Sequence, residues 1–158
     1  MLKIQILSSE SADLEAVKQL FHLYALELNE NICFQNFDEE LSDPLKKYGG
    51  ENGLLLTGKW NNELAGCVAY TRLNIPGTCE MKRLFVLPAF RGEGVGKELA
   101  EAIIEHARKD GFKSMVLDTL EKLGSAVKLY EKLGFKERTA YYNNPLNGVI
   151  YMEKPLNY

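Results

Sequence analysis

The sequence predicts an α+β fold, a mixed and mostly antiparallel sheet of about seven strands flanked by about four helices. Three observations predict it. The chain has 158 residues, enough to bury one sizeable core. Its apolar residues change period along the chain, from the helical repeat to the alternation of strands and back. No low-complexity or linker-like stretch divides it, so one domain over 1–158 is expected.

The elements follow in order. Ile4 to Leu7 is a short apolar run suited to a first strand. From Ala12 to Leu28 a helix is expected, with Leu14, Val17, Leu20, Phe21, Tyr24 and Leu28 on one face and Ser11 as its N-cap. Asp13 and Glu15 suit the positive end of its dipole. A second, more polar helix spans Glu39 to Tyr48 despite Pro44, and Gly49-Gly50 stops it. Its acidic start, Asp38-Glu39-Glu40, reads as solvated. Three strands follow over 53–59, 63–73 and 79–87, with turns at Asn61-Asn62 and Pro76-Gly77. Val95, Leu99, Ala102, Ile103, His106 and Ala107 then mark a helix to Asp110, closed by Gly111. Ser114 to Asp118 is a strand and Ser125 to Leu133 a short helix, with Gly134 behind it. The runs 136–142 and 149–152 complete the sheet. The resulting order, βααβββαβαββ, is that of a layered α+β domain.

Composition narrows the function. Nineteen basic and twenty-two acidic side chains give a net charge of −3, the wrong sign for a nucleic-acid binder. No run approaches the roughly 20 apolar residues of a membrane span, and the N-terminus has no signal-peptide core, so a cytoplasmic protein without membrane partners is expected. Cys33, Cys67 and Cys79 form no C-x-x-C pair and lie far from His22 and His106, so no metal site is expected and buried thiols are.

The segment that carries chemistry is Arg91-Gly92-Glu93-Gly94-Val95-Gly96-Lys97, between a strand and an amphipathic helix. Glycines there let the backbone turn and approach a ligand closely. The free amides of the helix's first turn, with the dipole behind them, favour a phosphate. A P-loop would need Gly at position 91 and Ser or Thr at position 98, where Arg91 and Glu98 stand. A dinucleotide fingerprint would need G-x-G-x-x-G after a parallel strand; this run is G-x-G-x-G after an antiparallel meander.

What remains, R-x-x-G-x-G, resembles the acetyl-CoA pyrophosphate loop of the GNAT (GCN5-related N-acetyltransferase) superfamily. The preceding strand, Glu80 to Pro88, ends in a V-x-P step like that of the family's fourth strand, and Leu129-Tyr130-Glu131-Lys132-Leu133-Gly134-Phe135 is similar to its L-Y-x-K-x-G-F signature. The resemblance implies a GNAT fold and transfer of an acetyl group from acetyl-CoA to a primary amine, by direct attack in a ternary complex. It implies that the backbone of Leu84, Phe85 and Val86 holds the pantetheine arm and that the amides from Arg91 through Gly92, Glu93, Gly94, Val95 and Gly96 to Lys97 hold the pyrophosphate. Tyr130 matches a tyrosine that protonates the leaving thiolate in many relatives; as a residue it also reads as a core aromatic. Relatives often carry an Asn where Leu123 stands, and Thr119 is the replacement for that pantetheine contact. Glu80 has the spacing of a catalytic glutamate, and its other reading is a charge paired at a strand edge.

The acceptor is read from nearby side chains. An alkylammonium must lose a proton before it attacks, and Glu80 is the candidate base, sharing a strand face with Lys82 and Leu84. Tyr141 and Tyr142 are expected to wall the acceptor pocket, with Arg72, Lys82 and Arg83 binding an anionic group, which favours a small amine bearing a carboxylate. Two alternatives stay open: transfer of another acyl group, and a module of the same fold that holds CoA without turnover. A homodimer is compatible with either.

Overall fold

A computed structural model describes residues 1–157, apart from the side chain of Cys33, so the thiol expected there lies outside the described residues. The strands are β1 (Leu2–Ile6), β2 (Gly53–Trp60), β3 (Glu63–Arg72), β4 (Thr78–Val86), β5 (Ser114–Leu120), β6 (Lys136–Arg138) and β7 (Val149–Pro155). The helices are α1 (Leu14–Leu28), α2 (Phe37–Ser42), α3 (Pro44–Lys47), α4 (Val95–Lys109) and α5 (Gly124–Lys132). All seven strands form one sheet in the order β1-β2-β3-β4-β5-β7-β6. Every pairing is antiparallel except that of β4 with β5.

Alternation along the strands feeds two apolar layers. On one face Val68, Tyr70, Met81, Met115 and Leu117 pack against Val95, Leu99 and Ile103 of α4 and Tyr130 of α5. On the other, Leu55, Cys67, Ala69 and Phe85 pack against Val17, Leu20 and Phe21 of α1 and Phe37 of α2. Among the described residues no helix is long and apolar enough to cross a membrane. Cys67 and Cys79 are free and buried.

Several expectations change in detail. The helix expected over 39–48 is two helices, because Pro44 has no N–H to continue the first and instead begins the second. Asp43 between them leaves the helical region, at φ −148° and ψ 84°, since a following proline disfavours the helical conformation. Asp13, rather than Ser11, is the N-cap of α1; the Ser11 hydroxyl accepts from the Asp13 amide one turn earlier, at 3.1 Å. Glu40 is not solvated with its neighbours but only 2% exposed. The strand expected over 136–142 stops at Arg138, and residues 139–148 leave the sheet.

The β3–β4 ladder holds the largest surprise. Cys67 faces Phe85 but Ala69 faces Lys82, so β4 carries one residue more than its partner, and Arg83 takes a left-handed φ of 58° there. A bulge of this kind inverts the alternation beyond it. Glu80 and Lys82 do share a face, but Leu84 does not follow them: it packs with the α4 layer, while Phe85 turns to α1.

Candidate active site

The site forms where two neighbouring strands part. β4 and β5 pair at Thr78–Ser114, Cys79–Met115 and Glu80–Val116, and the ladder goes no further. Beyond Glu80, β4 is bent by the bulge at Arg83 while β5 stays bound to β7 as far as Leu120. The gap is lined by Lys82 and Leu84 on one strand and by Leu117, Asp118 and Thr119 on the other, with Tyr24 of α1 and Tyr130 of α5 across it.

A chain of buried polar contacts runs from α2 to this gap. Arg83 donates from Nε to Glu40 Oε1 at 2.9 Å and from Nη2 to Glu40 Oε2 at 2.7 Å. The same Nη2 reaches Gln35 Oε1 at 2.8 Å, and that oxygen also accepts from Lys82 Nζ at 2.9 Å. Lys82 Nζ in turn lies 3.9 Å from Glu80 Oε1. Burial drives the Glu40 carboxyl up, but the hydrogen bonds and charge of Arg83, aided by Lys47, outweigh it and hold the group below its ordinary value. Burial pushes the Lys82 ammonium down, against the pull of Glu80.

The glycine-rich turn follows β4. Gly92 and Gly94 sit at φ 85° and 81°, a conformation that side chains disfavour, and a Cβ on either would point into open space. Gly94 is the N-cap of α4, and no side chain caps the helix, so its first-turn amides stay available to a ligand. Gly92, Gly94, Val95 and Gly96 line a groove of about 470 Å³ that runs past Leu84, Phe85 and Val86 to Tyr24 and Glu27 of α1 and Leu129 of α5. Arg91 spans its edge, donating to the Val86 carbonyl at 2.8 Å and pairing with Glu27 at 2.7 Å. Glu93 and Lys97 belong to the same loop and helix start but do not line the groove.

Tyr130 is a core aromatic that also borders the gap. Its ring packs edge-on against Phe135, with centroids 5.9 Å apart, and the residue also lines the gap between β4 and β5. Burial, with Tyr24 and Asp118 nearby, raises its phenol well above the usual range, so it keeps its proton.

On the other side of Lys82 lies a cavity of about 380 Å³ lined by Phe34, Gln35, Lys47, Ile75, Glu80, Tyr141 and Tyr142 among others. The segment leaving β6 closes over it. Tyr141 donates its hydroxyl to Glu80 and Tyr142 donates its own to Asp118. Asn144 adds a 2.8 Å bond from Nδ2 to Asp118, and Tyr151 donates to the Tyr142 carbonyl at 2.8 Å. Two of the cations expected to bind an anion are committed elsewhere. Arg72 faces Cys79 across the ladder, on the opposite side of the sheet from Glu80, where it stacks 4.7 Å from the Phe112 ring. Arg83 is held by Glu40.

This fold and groove can be set beside known proteins. The model of the acetyltransferase (GNAT) family matches residues 17–135. The chain belongs to that family. An uncharacterized N-acetyltransferase of Schizosaccharomyces pombe is 45% identical over 141 residues, covering 89% of this chain and 86% of the relative. A GNAT acetyltransferase of Staphylococcus aureus superimposes with a TM-score of 0.81 at 19% identity, covering 99% and 100% of the two chains. The PaiA N-acetyltransferase of Thermoplasma acidophilum, solved with coenzyme A, gives 0.75 at 19% identity over 98% and 99%. The likeness in the last two is one of fold. The GNAT chain described here is thus an acyltransferase enzyme with the family's open, mixed sheet.

Some residues of this GNAT site carried no mark in the sequence. Tyr24 looked like one of several apolar positions on α1, and Gln35 and Lys47 like ordinary loop and helix polars. They are brought in by packing across the sheet. Asp118 had a signal, since a lone carboxylate interrupts the apolar run of β5. Thr119 lines the gap, and Leu123, the residue just before α5, lines both the gap and the groove.

Proposed function

We propose that this chain moves the acetyl group of acetyl-CoA to the primary amine of a small, carboxylate-bearing molecule, both substrates being held at once. The observation that carries this reading is that the two cavities meet. Lys82 and Gln35 line both the strand gap and the chamber closed by Tyr141 and Tyr142, so a donor in the first lies beside an acceptor in the second.

The groove suits the donor. Its glycine turn and uncapped helix start match a pyrophosphate, and its apolar walls, Leu84, Phe85 and Leu129, match a pantetheine arm. Leu84, Phe85 and Val86 would align that arm through their backbone, and Thr119 would face it from β5. Bound acetyl-CoA supplies the thioester and, on transfer, the departing thiolate. Glu80, the last residue of β4 paired with β5, takes the proton from the acceptor nitrogen. Tyr130 gives its hydroxyl proton to the sulfur that leaves. Tyr141 and Tyr142 keep bulk water from both. The buried, free thiols of Cys67 and Cys79 are in keeping with action in the cytoplasm.

The test is a screen of purified protein and acetyl-CoA against a panel of amines, read as release of free thiol. Acceptor-dependent release with a small carboxylated amine supports the reading. Tight binding of acetyl-CoA with no release on any amine would leave a CoA-holding module instead, and release only with another acyl-CoA would change the donor.

A further inference from the structure

The charged groups around the acceptor chamber divide into pairs and remainders. Glu40 and Arg83 cancel each other through two short hydrogen bonds. Glu80 and Lys82 stand as a second opposite pair. Two further charges stand close by, and Lys47 shares Glu40 with Arg83. Asp118, on the thioester side, accepts hydrogen bonds from Tyr142 and Asn144, both neutral donors. Lys47, on the outer wall, lies 3.6 Å from Glu40 Oε2, beyond hydrogen-bond range. That carboxylate already holds Arg83 and accepts the Tyr48 hydroxyl at 2.6 Å. Lys47 is thus the looser of that carboxylate's two cationic partners, and with 33% of its side chain exposed, against 2% for Glu40, it can turn to another anion.

The result is a chamber with a polarity. Its inner end, at Glu80 with Asp118 behind the Tyr142 hydroxyl, attracts a cation; its rim, at Lys47, attracts an anion. Phe34, Ile75 and Tyr141 line the same chamber and suit an apolar stem. We propose that Lys47 is the specificity-determining residue of the acceptor site, receiving the carboxylate of an amine whose ammonium end enters first, toward Glu80. This rests on the acetyl-transfer reading and adds the orientation of the acceptor and the residue that selects it.

The experiment compares amino acids with their carboxamides as acceptors, in the wild type, Lys47→Gln and Lys47→Arg. Its readout is the ratio of kcat/KM for acid over amide. The wild type should prefer the acid by about tenfold or more, the range of one charge-assisted hydrogen bond. Lys47→Gln should bring the ratio close to one, and Lys47→Arg should keep most of it. A wild type without preference, an unchanged ratio in Lys47→Gln, or an equal loss on both acceptor forms overturns the proposal while leaving acetyl transfer intact. Failure of every amine to release CoA removes both together.

Discussion

Arg83 and Glu40, 43 residues apart in sequence, meet in a two-point ion pair that ties α2 to the bulge of β4. Both side chains are 2% exposed. The Arg83 guanidinium also lies 5.2 Å from the centroids of the Tyr24 and Phe37 rings. A left-handed backbone at a non-glycine residue costs energy, and this set of contacts is what offsets it. The bulge is therefore held by its own side chain.

Glu40→Gln should destabilise the protein by about 3–5 kcal/mol, because it leaves Arg83 buried without its counter-charge. The pH dependence follows from the same pair. Glu40 is more acidic folded than unfolded, so its ionisation stabilises the protein above the ordinary value of 4.5 and that contribution is lost as pH falls below it. Urea unfolding of the two proteins at pH 7 and at successively lower pH checks this. Their stabilities should converge on acidification, and a constant difference would assign the loss to packing.

Gly94→Ala should weaken acetyl-CoA binding by at least about tenfold in a protein that still folds. The added methyl meets open space, so its folding cost is only the strain of a left-handed residue, roughly 1–2 kcal/mol. In the groove it would stand where the backbone must approach a phosphate closely. Calorimetric titration with acetyl-CoA decides it, with circular dichroism as the fold control. Unchanged affinity would move the pyrophosphate elsewhere.

Tyr130→Phe keeps the edge contact with Phe135 and removes only the hydroxyl. If that hydroxyl protonates the thiolate, kcat should fall by about 10²–10⁴-fold while acetyl-CoA affinity and melting temperature change little. A fall of less than about threefold would mean that the residue serves packing and that water protonates the sulfur.

Glu80→Gln retains an acceptor for the Tyr141 hydroxyl but no proton acceptor at neutral pH. Turnover should fall by about 10²–10⁴-fold, and the deficit should shrink as pH rises and more acceptor amine is already neutral. A raised acceptor KM with kcat intact would instead make Glu80 a binding site for the ammonium. A loss equal at every pH would point to the Lys82 pair as purely structural.

What could be read in the sequence follows the reach of each interaction. The strand and helix periods and the Gly92–Gly94 turn are local properties, and most stand within a residue or two of their expected places, the exceptions being the helix split at Pro44 and the ends of the last two strands. The Leu129–Phe135 signature likewise spans the end of α5 and the turn after it, with Tyr130 buried. The bulge was hidden because Arg83 has none of the usual left-handed residue types, and its stabilisation comes from Glu40 and Gln35, distant in sequence. That one inserted residue is why the shared face of Glu80 and Lys82 did not extend to Leu84. Arg72 went astray for a simpler reason: position within a strand does not show which face lies over the site until the register is known. The tyrosine wall was legible as a cluster, but the carboxylates that anchor it, Glu80 and Asp118, could be matched to it only in three dimensions.

The inverted alternation in β4 also divides the strand's labour. Glu80 and Lys82, ahead of Arg83, line the tyrosine-walled cavity, Leu84 to Val86, behind it, line the glycine-rich groove, and Arg83 itself is locked to α2 between them. Exchanges along the cavity end of the strand thus reach the groove only through a clamped joint. Such a strand can exchange one amine for another over generations of substitution and keep the same grip on its acyl carrier.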